Sequence, residues 1–160
     1  MTQATKNDLS AATRKKMNLL LGQLLADGLD MYSQAKQAHW NVKGENFIAL
    51  HELFDALATE ISLAVDTIAE RIMQLGGSAQ GTVRMAAKKS RLKEYPLDAV
   101  DGQSHVDALS SALAAFNAQL RKAIDDSSAA GDAVTADMFT SITRGLDKQL
   151  WFIESHLKRK

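Results

Sequence analysis

From residue 47 to residue 75 the chain places Phe47, Leu50, Phe54, Leu57, Ile61, Ala64, Ile68, Ile72 and Leu75 at a period close to 3.5, with no proline in the run. A periodic stretch of about eight turns is too long for a strand. Its single apolar stripe must be buried against other helices, at the shallow crossing angles of bundle packing. Three further segments repeat the pattern. The first carries Met17, Leu20, Leu21, Leu24, Leu25, Gly28, Met31, Tyr32 and Ala35, after N-cap residues at 7–10 and up to about Trp40. The third carries Val106, Leu109, Leu113, Phe116, Leu120 and Ile124, and the fourth Met138, Ile142, Leu146, Leu150, Ile153 and Leu157. With one proline, Pro96, in 160 residues, the chain is all-α.

The connections define the topology. NVKGEN makes a short turn after the first helix, Gly76-Gly77 ends the second, and SSAAGD separates the third from the fourth. Residues 76–102 are far longer than a bundle turn requires. They suit a crossover along the bundle joining two parallel neighbours, with a short helix over residues 83–89. Four long helices and one long crossover between the second and the third give a ferritin-like four-helix bundle.

Residues 1–160 read as a single domain, with a short tail at 1–7 and a basic tip at 157–160. Nineteen basic and nineteen acidic residues cancel, so no global field draws the chain to nucleic acid or membrane. The absence of cysteine removes disulfides, thiolate metal sites and thiol nucleophiles together. No apolar run approaches the ~20 residues of a membrane span, and MTQATKNDLSAATRKK lacks the apolar core of a signal peptide, so a cytoplasmic address is expected.

The second helix also carries polar residues that suit iron, manganese or zinc. At about 100° per residue, Asp55, Asp66 and Glu70 lie ~40°, ~60° and ~100° round from His51, all on one side. Along the axis they form two i,i+4 pairs, His51/Asp55 and Asp66/Glu70, with centres about 22 Å apart at 1.5 Å per residue. Metal–ligand bonds are about 2 Å long, so one chain cannot gather both pairs around one ion. A two-fold axis setting this helix antiparallel to its copy can. Asp66 and Glu70 of one subunit then face His51 and Asp55 of the other, with His39 joining the histidine side. Spacing alone weighs this evenly against an ordinary solvated face.

AHWNVKGENF, LHELFD, DTIAER, QLGG, LKEYPLD, RKAIDD and LDKQLWFIES stand in this order through nearly the whole chain. Together they resemble the Dps proteins, the mini-ferritins named for DNA protection during starvation. The resemblance implies a hollow homododecamer with paired di-iron ferroxidase centres at each two-fold interface. His39, His51 and Asp55 would come from one subunit and Asp66 and Glu70 from the next. It implies oxidation of Fe(II), preferably by hydrogen peroxide, and storage of ferric mineral in the cavity. Larger ferritins use Glu-x-x-His within one bundle, and that motif is absent here.

Trp40 and Trp151 resemble aromatic positions near the family's centre, although packing is the better reading of both. Met17, Met31, Met73, Met85 and Met138 read as packing too. Asp125, Asp126 and Asp132 are candidates for an acidic three-fold pore. Family members often bind DNA through lysine-rich tails. Here only Lys6 precedes the first cap, Arg14, Lys15 and Lys16 belong to the helix, and His156, Lys158, Arg159 and Lys160 make a small basic tip. Nucleoid-associated DNA binding stands as the alternative function.

Overall fold

The computed structural model describes residues 3–158. Its helices are α1 (Ala11–Asn41), α2 (Phe47–Gln74), α3 (Val83–Lys89), α4 (Gly102–Ala129) and α5 (Ala133–Glu154). Among the described residues there is no strand, only an isolated bridge between Lys43 and Asp101. The four long helices and the short α3 inside the crossover lie where the periodicity predicts them.

Local chemistry sets the boundaries. Ser10 caps α1, its hydroxyl accepting from the Thr13 amide at 3.0 Å. Helix α2 ends in a Schellman motif. Gly76, at φ +72°, donates to the Met73 carbonyl at 3.0 Å, and the Gly77 amide donates to the Ile72 carbonyl at 2.9 Å. Helix α4 continues through Ser127 and Ser128, which sequence reading gives to the turn, because Gly131 at φ +78° supplies the same kind of stop three residues later. Asp132 then serves both helices. Its amide donates to Ser127 at 3.0 Å, and its carboxylate caps α5 by accepting from the Thr135 amide at 3.0 Å.

Helix α1 packs on α2 and α4 on α5, and the two hairpins stack α1 on α4 and α2 on α5. Asp101, the N-cap of α4, meets Lys43 just beyond the end of α1. Arg71, in the last turn of α2, reaches Asp132 at the start of α5. Adjacent helices are therefore antiparallel, and α2 and α4 run parallel across the diagonal rather than as the neighbours the sequence suggests. The long crossover is needed either way, since it must return along the bundle. Polar clamps on α1 hold it. Asp27, fully buried, accepts from the Arg91 amide at 2.9 Å and guanidinium at 2.6 Å, Ser90 donates to Asp30 at 2.5 Å, and Gln34 donates to the Lys93 carbonyl at 3.0 Å.

One core runs the length of the bundle, with Phe54, Phe116 and Phe139 among its largest fully buried side chains. Met17 and Met31 belong to it, and Met138 packs on its edge. Met73 and Met85 do not: they are 42% and 40% exposed. The N-terminal segment is not a free tail either. The Gln3 amide donates to the Gly76 carbonyl at 2.8 Å, Thr5 donates to the Gln74 carbonyl at 3.4 Å, and Arg14 donates to the Asn7 and Leu9 carbonyls. At the other end Gln103 donates to the His156 carbonyl at 2.7 Å and accepts from the Lys158 amide at 3.0 Å. Arg159 and Lys160 of the expected basic tip lie outside the described residues.

Candidate metal centre

The short 42–46 turn folds α2 back on α1 and brings His39, in the last turn of α1, against His51, in the second turn of α2. Their rings stack with centroids 3.7 Å apart and planes inclined by 23°. The two residues exchange identical hydrogen bonds. His39 Nδ1 lies 2.8 Å from the His51 carbonyl oxygen, and His51 Nδ1 lies 2.8 Å from the His39 carbonyl oxygen. A carbonyl only accepts, so each Nδ1 carries a proton, and Nε2 is the nitrogen left to face a metal. Outer hydrogen bonds fix tautomer and ring orientation in this way at histidine metal ligands.

Asp55, one turn beyond His51, is exposed and accepts a hydrogen bond from Lys36 Nζ at 2.7 Å. That hydrogen bond is the main cause holding its carboxyl below the ordinary range. Desolvation opposes the shift, while the charges of Lys36, His39 and His51 reinforce it. The Lys36 ammonium also sits 5.7 Å from the centroid of the Trp40 ring, and Phe47 lies 5.1 Å from the His51 ring. Sequence reading omits Lys36. The signal was available, because Lys36 stands one turn before His39 and so on the same face of α1.

Asp66 and Glu70 are exposed further along α2. Among the described residues, no group of three or more His, Asp or Glu side chains is placed to hold a metal within one chain. Around the candidate ligands the surface is unusually apolar for solvent: Trp40 is 66% exposed, Ile48 61% and Leu63 65%. Trp40 and Trp151, the latter 63% exposed, are thus not packing residues of this chain, contrary to the favoured reading of the sequence.

The pore candidates separate. Asp132 is 2% exposed and committed to Arg71 Nη2 at 2.9 Å and to the α5 cap, so it is a structural residue. Asp126 pairs with Lys122 at 2.7 Å. Asp125 is exposed and takes no part in the ion pairs found among the described residues.

Comparison with known proteins agrees with this frame. The ferritin-like domain family matches residues 18–160. The DNA protection during starvation protein of Agrobacterium fabrum is 45% identical over 159 residues, covering 99% of this chain and 98% of its own length. The Dps structure from Mycobacterium smegmatis superposes with a TM-score of 0.93 at 31% identity, covering 99% of this chain and 96% of that one. The Dps structure from Vibrio cholerae, described as a member of a broad superfamily of ferritin-like diiron-carboxylate proteins, gives 0.89 at 26% identity and covers 99% and 98%. The chain belongs to the Dps family of ferritin-like proteins.

Proposed function

We propose that this protein oxidises Fe(II), preferably with hydrogen peroxide, and stores the ferric product, thereby protecting DNA from oxidative damage in the cytoplasm. The observation that carries the reading is the reciprocal His39/His51 pair, two imidazoles locked with Nδ1 protonated and Nε2 available. Asp55 stands beside them as a carboxylate held ionised. Asp66 and Glu70, exposed on the same side of α2, complete the set from a two-fold partner. Neutral imidazoles favour Fe(II), and carboxylates favour the harder ferric product. Peroxide accepts two electrons, one from each of two Fe(II), and its O–O bond breaks to two hydroxides. Hydrolysis then deposits ferric oxyhydroxide and releases protons, and paired delivery avoids hydroxyl radical. A hollow dodecamer, as the family resemblance implies, gives the mineral its compartment.

The experiment follows Fe(II) oxidation anaerobically after adding peroxide. About one peroxide consumed per two irons, with soluble ferric protein as product, is expected. Oxidation no faster than in protein-free buffer would overturn the reading. His51→Ala with Asp55→Ala should remove the fast phase while leaving the assembly intact, and full activity in that double variant would refute the site.

A further inference from the structure

We propose that Met73 of one subunit meets the partner's Ile48 across the two-fold axis, and that this apolar contact closes the outer end of each candidate metal site. The inference rests on the shared-site reading above and adds to it two positioning residues that bind no iron.

Met73 and Ile48 are large apolar side chains left in solvent, 42% and 61% exposed. Both stand on the ligand stripe of α2. At about 100° per residue, Ile48 lies ~60° and Met73 ~40° round from His51, inside the arc of about 100° that holds His51, Asp55, Asp66 and Glu70. They bracket the ligands, Ile48 just before His51 and Met73 just after Glu70. Along the helix they are about 37 Å apart, so within one chain neither can cover the other.

A two-fold axis supplies the cover. An antiparallel copy that sets His51 opposite Glu70 also sets Asp55 opposite Asp66, because the residue numbers of both pairs have the same sum. The same register puts Ile48 opposite Met73. Sliding the copy by one turn in either direction would put Met73 opposite Gly44 or Glu52, and neither offers it an apolar partner. Next to the axis the register pairs Thr59 with Ser62, both exposed and both small enough for the helices to approach closely. The Thr59 hydroxyl already donates to the Asp55 carbonyl at 3.0 Å, so covering it strands no donor. One register therefore gathers the ligands, seats small residues at the axis and covers both exposed apolar side chains.

Chemistry assigns the contact its role. A thioether is a soft donor, ill-matched to iron among imidazoles and carboxylates, so Met73 serves as a wall and not as a ligand. Its unbranched chain can fill an irregular gap against a β-branched neighbour. Phe47 already lies 5.1 Å from the His51 ring at this end of α2, and the partner's Met73 completes the apolar wall begun by Phe47 and Ile48. Water is thereby kept from the outer side of the site, where a drier surrounding strengthens the attraction between carboxylate and cation. Met73 also stands one turn beyond Glu70 on the same helix, so anchoring it holds the partner's Glu70 opposite His51.

The test uses the absence of cysteine from the chain. In assembled full-length I48C/M73C, a short bismaleimide should join subunits into covalent dimers on denaturing gels, and I48C or M73C alone should stay monomeric there. D55C/D66C reports the shared register in the same way. Linkage in D55C/D66C with none in I48C/M73C overturns the contact and leaves the shared site standing, whereas failure of both pairs overturns the shared site as well. Linkage by either single variant also overturns the proposal, because it reports a different neighbour. Anaerobic calorimetric Fe(II) titration supplies a measure that needs no thiol, with assembly checked by size-exclusion chromatography. M73A, I48A and M73A/I48A should each weaken Fe(II) binding at least about threefold and by similar factors, since either truncation opens the same contact. M73L should restore the wild-type affinity. Multiplying losses in the double variant, or M73L as weak as M73A, would count against the contact and refute it.

Discussion

At the scale of single residues, the candidate metal site is built so that each histidine orients the other through main chain. Replacing His51 by Ala leaves its carbonyl in place to accept from His39 Nδ1, so the remaining ring keeps its tautomer and loses mainly its stacking partner. His39→Ala and His51→Ala should therefore slow Fe(II) oxidation at least about tenfold while barely moving Tm, measured by stopped-flow absorbance and differential scanning calorimetry. Loss of folding in either single variant would contradict that independence. Lys36 is the opposite case, a cation standing on a candidate iron ligand. Lys36→Met removes the hydrogen bond that chiefly holds Asp55 ionised, so the Asp55 carboxyl should rise toward its ordinary value. It also removes the charge that iron must displace. Tighter anaerobic Fe(II) binding in this variant is expected by calorimetric titration, and weaker binding would show that Lys36 organises the site rather than competing for it. The folded Asp55 carboxyl lies below its unfolded value. The ion pair is thus fully present above about pH 4 and fades as pH falls through the lowered folded value.

At the scale of elements, the bundle is fastened at its ends by buried polar groups, and these differ sharply in kind. Arg71, 7% exposed, donates to Asp132 and to the Thr135 hydroxyl at 2.9 Å, tying the end of α2 to the start of α5. Desolvation tends to raise the Asp132 carboxyl, but the Thr135 hydroxyl and amide and the Arg71 charge outweigh it, so the group stays ionised below its ordinary range. Asp132→Ala removes the α5 cap and strands a buried guanidinium, a loss of about 3 kcal/mol or more. It should appear as a Tm lower by roughly 10 °C at fixed protein concentration. Asp132→Asn, which keeps an acceptor for the cap, should lose less. At the opposite end His105 is 1% exposed, with Nδ1 2.5 Å from the Tyr95 hydroxyl. Burial holds its imidazole below the ordinary histidine value and pushes the Tyr95 phenol up. The fold therefore binds fewer protons there than the unfolded chain. Stability from this group is complete above about pH 6.5 and declines as pH falls toward the lowered folded value. His105→Gln should flatten that part of the Tm–pH curve, and an unchanged slope would place the acid sensitivity elsewhere.

At the scale of the whole molecule, what the sequence made legible follows from which forces are local. Helix limits came through because N-caps, Schellman glycines and apolar period act within a few residues, as Ser10, Gly76 and the short α3 illustrate. The fate of Met73, Met85, Trp40 and Trp151 did not, because apolar residues at helical spacing look alike whether the chain's own core or another surface covers them. Asp132 was misassigned for a related reason: its partner, Arg71, is distant in sequence, whereas Lys36 was legible from its place one turn before His39. The remaining step, from chain to working site, is one of symmetry. If His51 and Asp55 of one subunit meet Asp66 and Glu70 of the next across a two-fold axis, damage to the two halves must be separable. A variant with His51→Ala and Asp55→Ala lacks one half of every site, and one with Asp66→Ala and Glu70→Ala lacks the other, so each alone should be inactive. In a mixed dimer one site receives both damaged halves and the other receives both intact halves. Random co-assembly from equal amounts makes half of the dimers mixed, and each mixed dimer has one good site of two. The mixture should thus recover about a quarter of the wild-type oxidation rate. A site built within one subunit, by contrast, gains nothing from mixing, so activity at the level of the separate variants would exclude the shared site while leaving the bundle and its family unchanged.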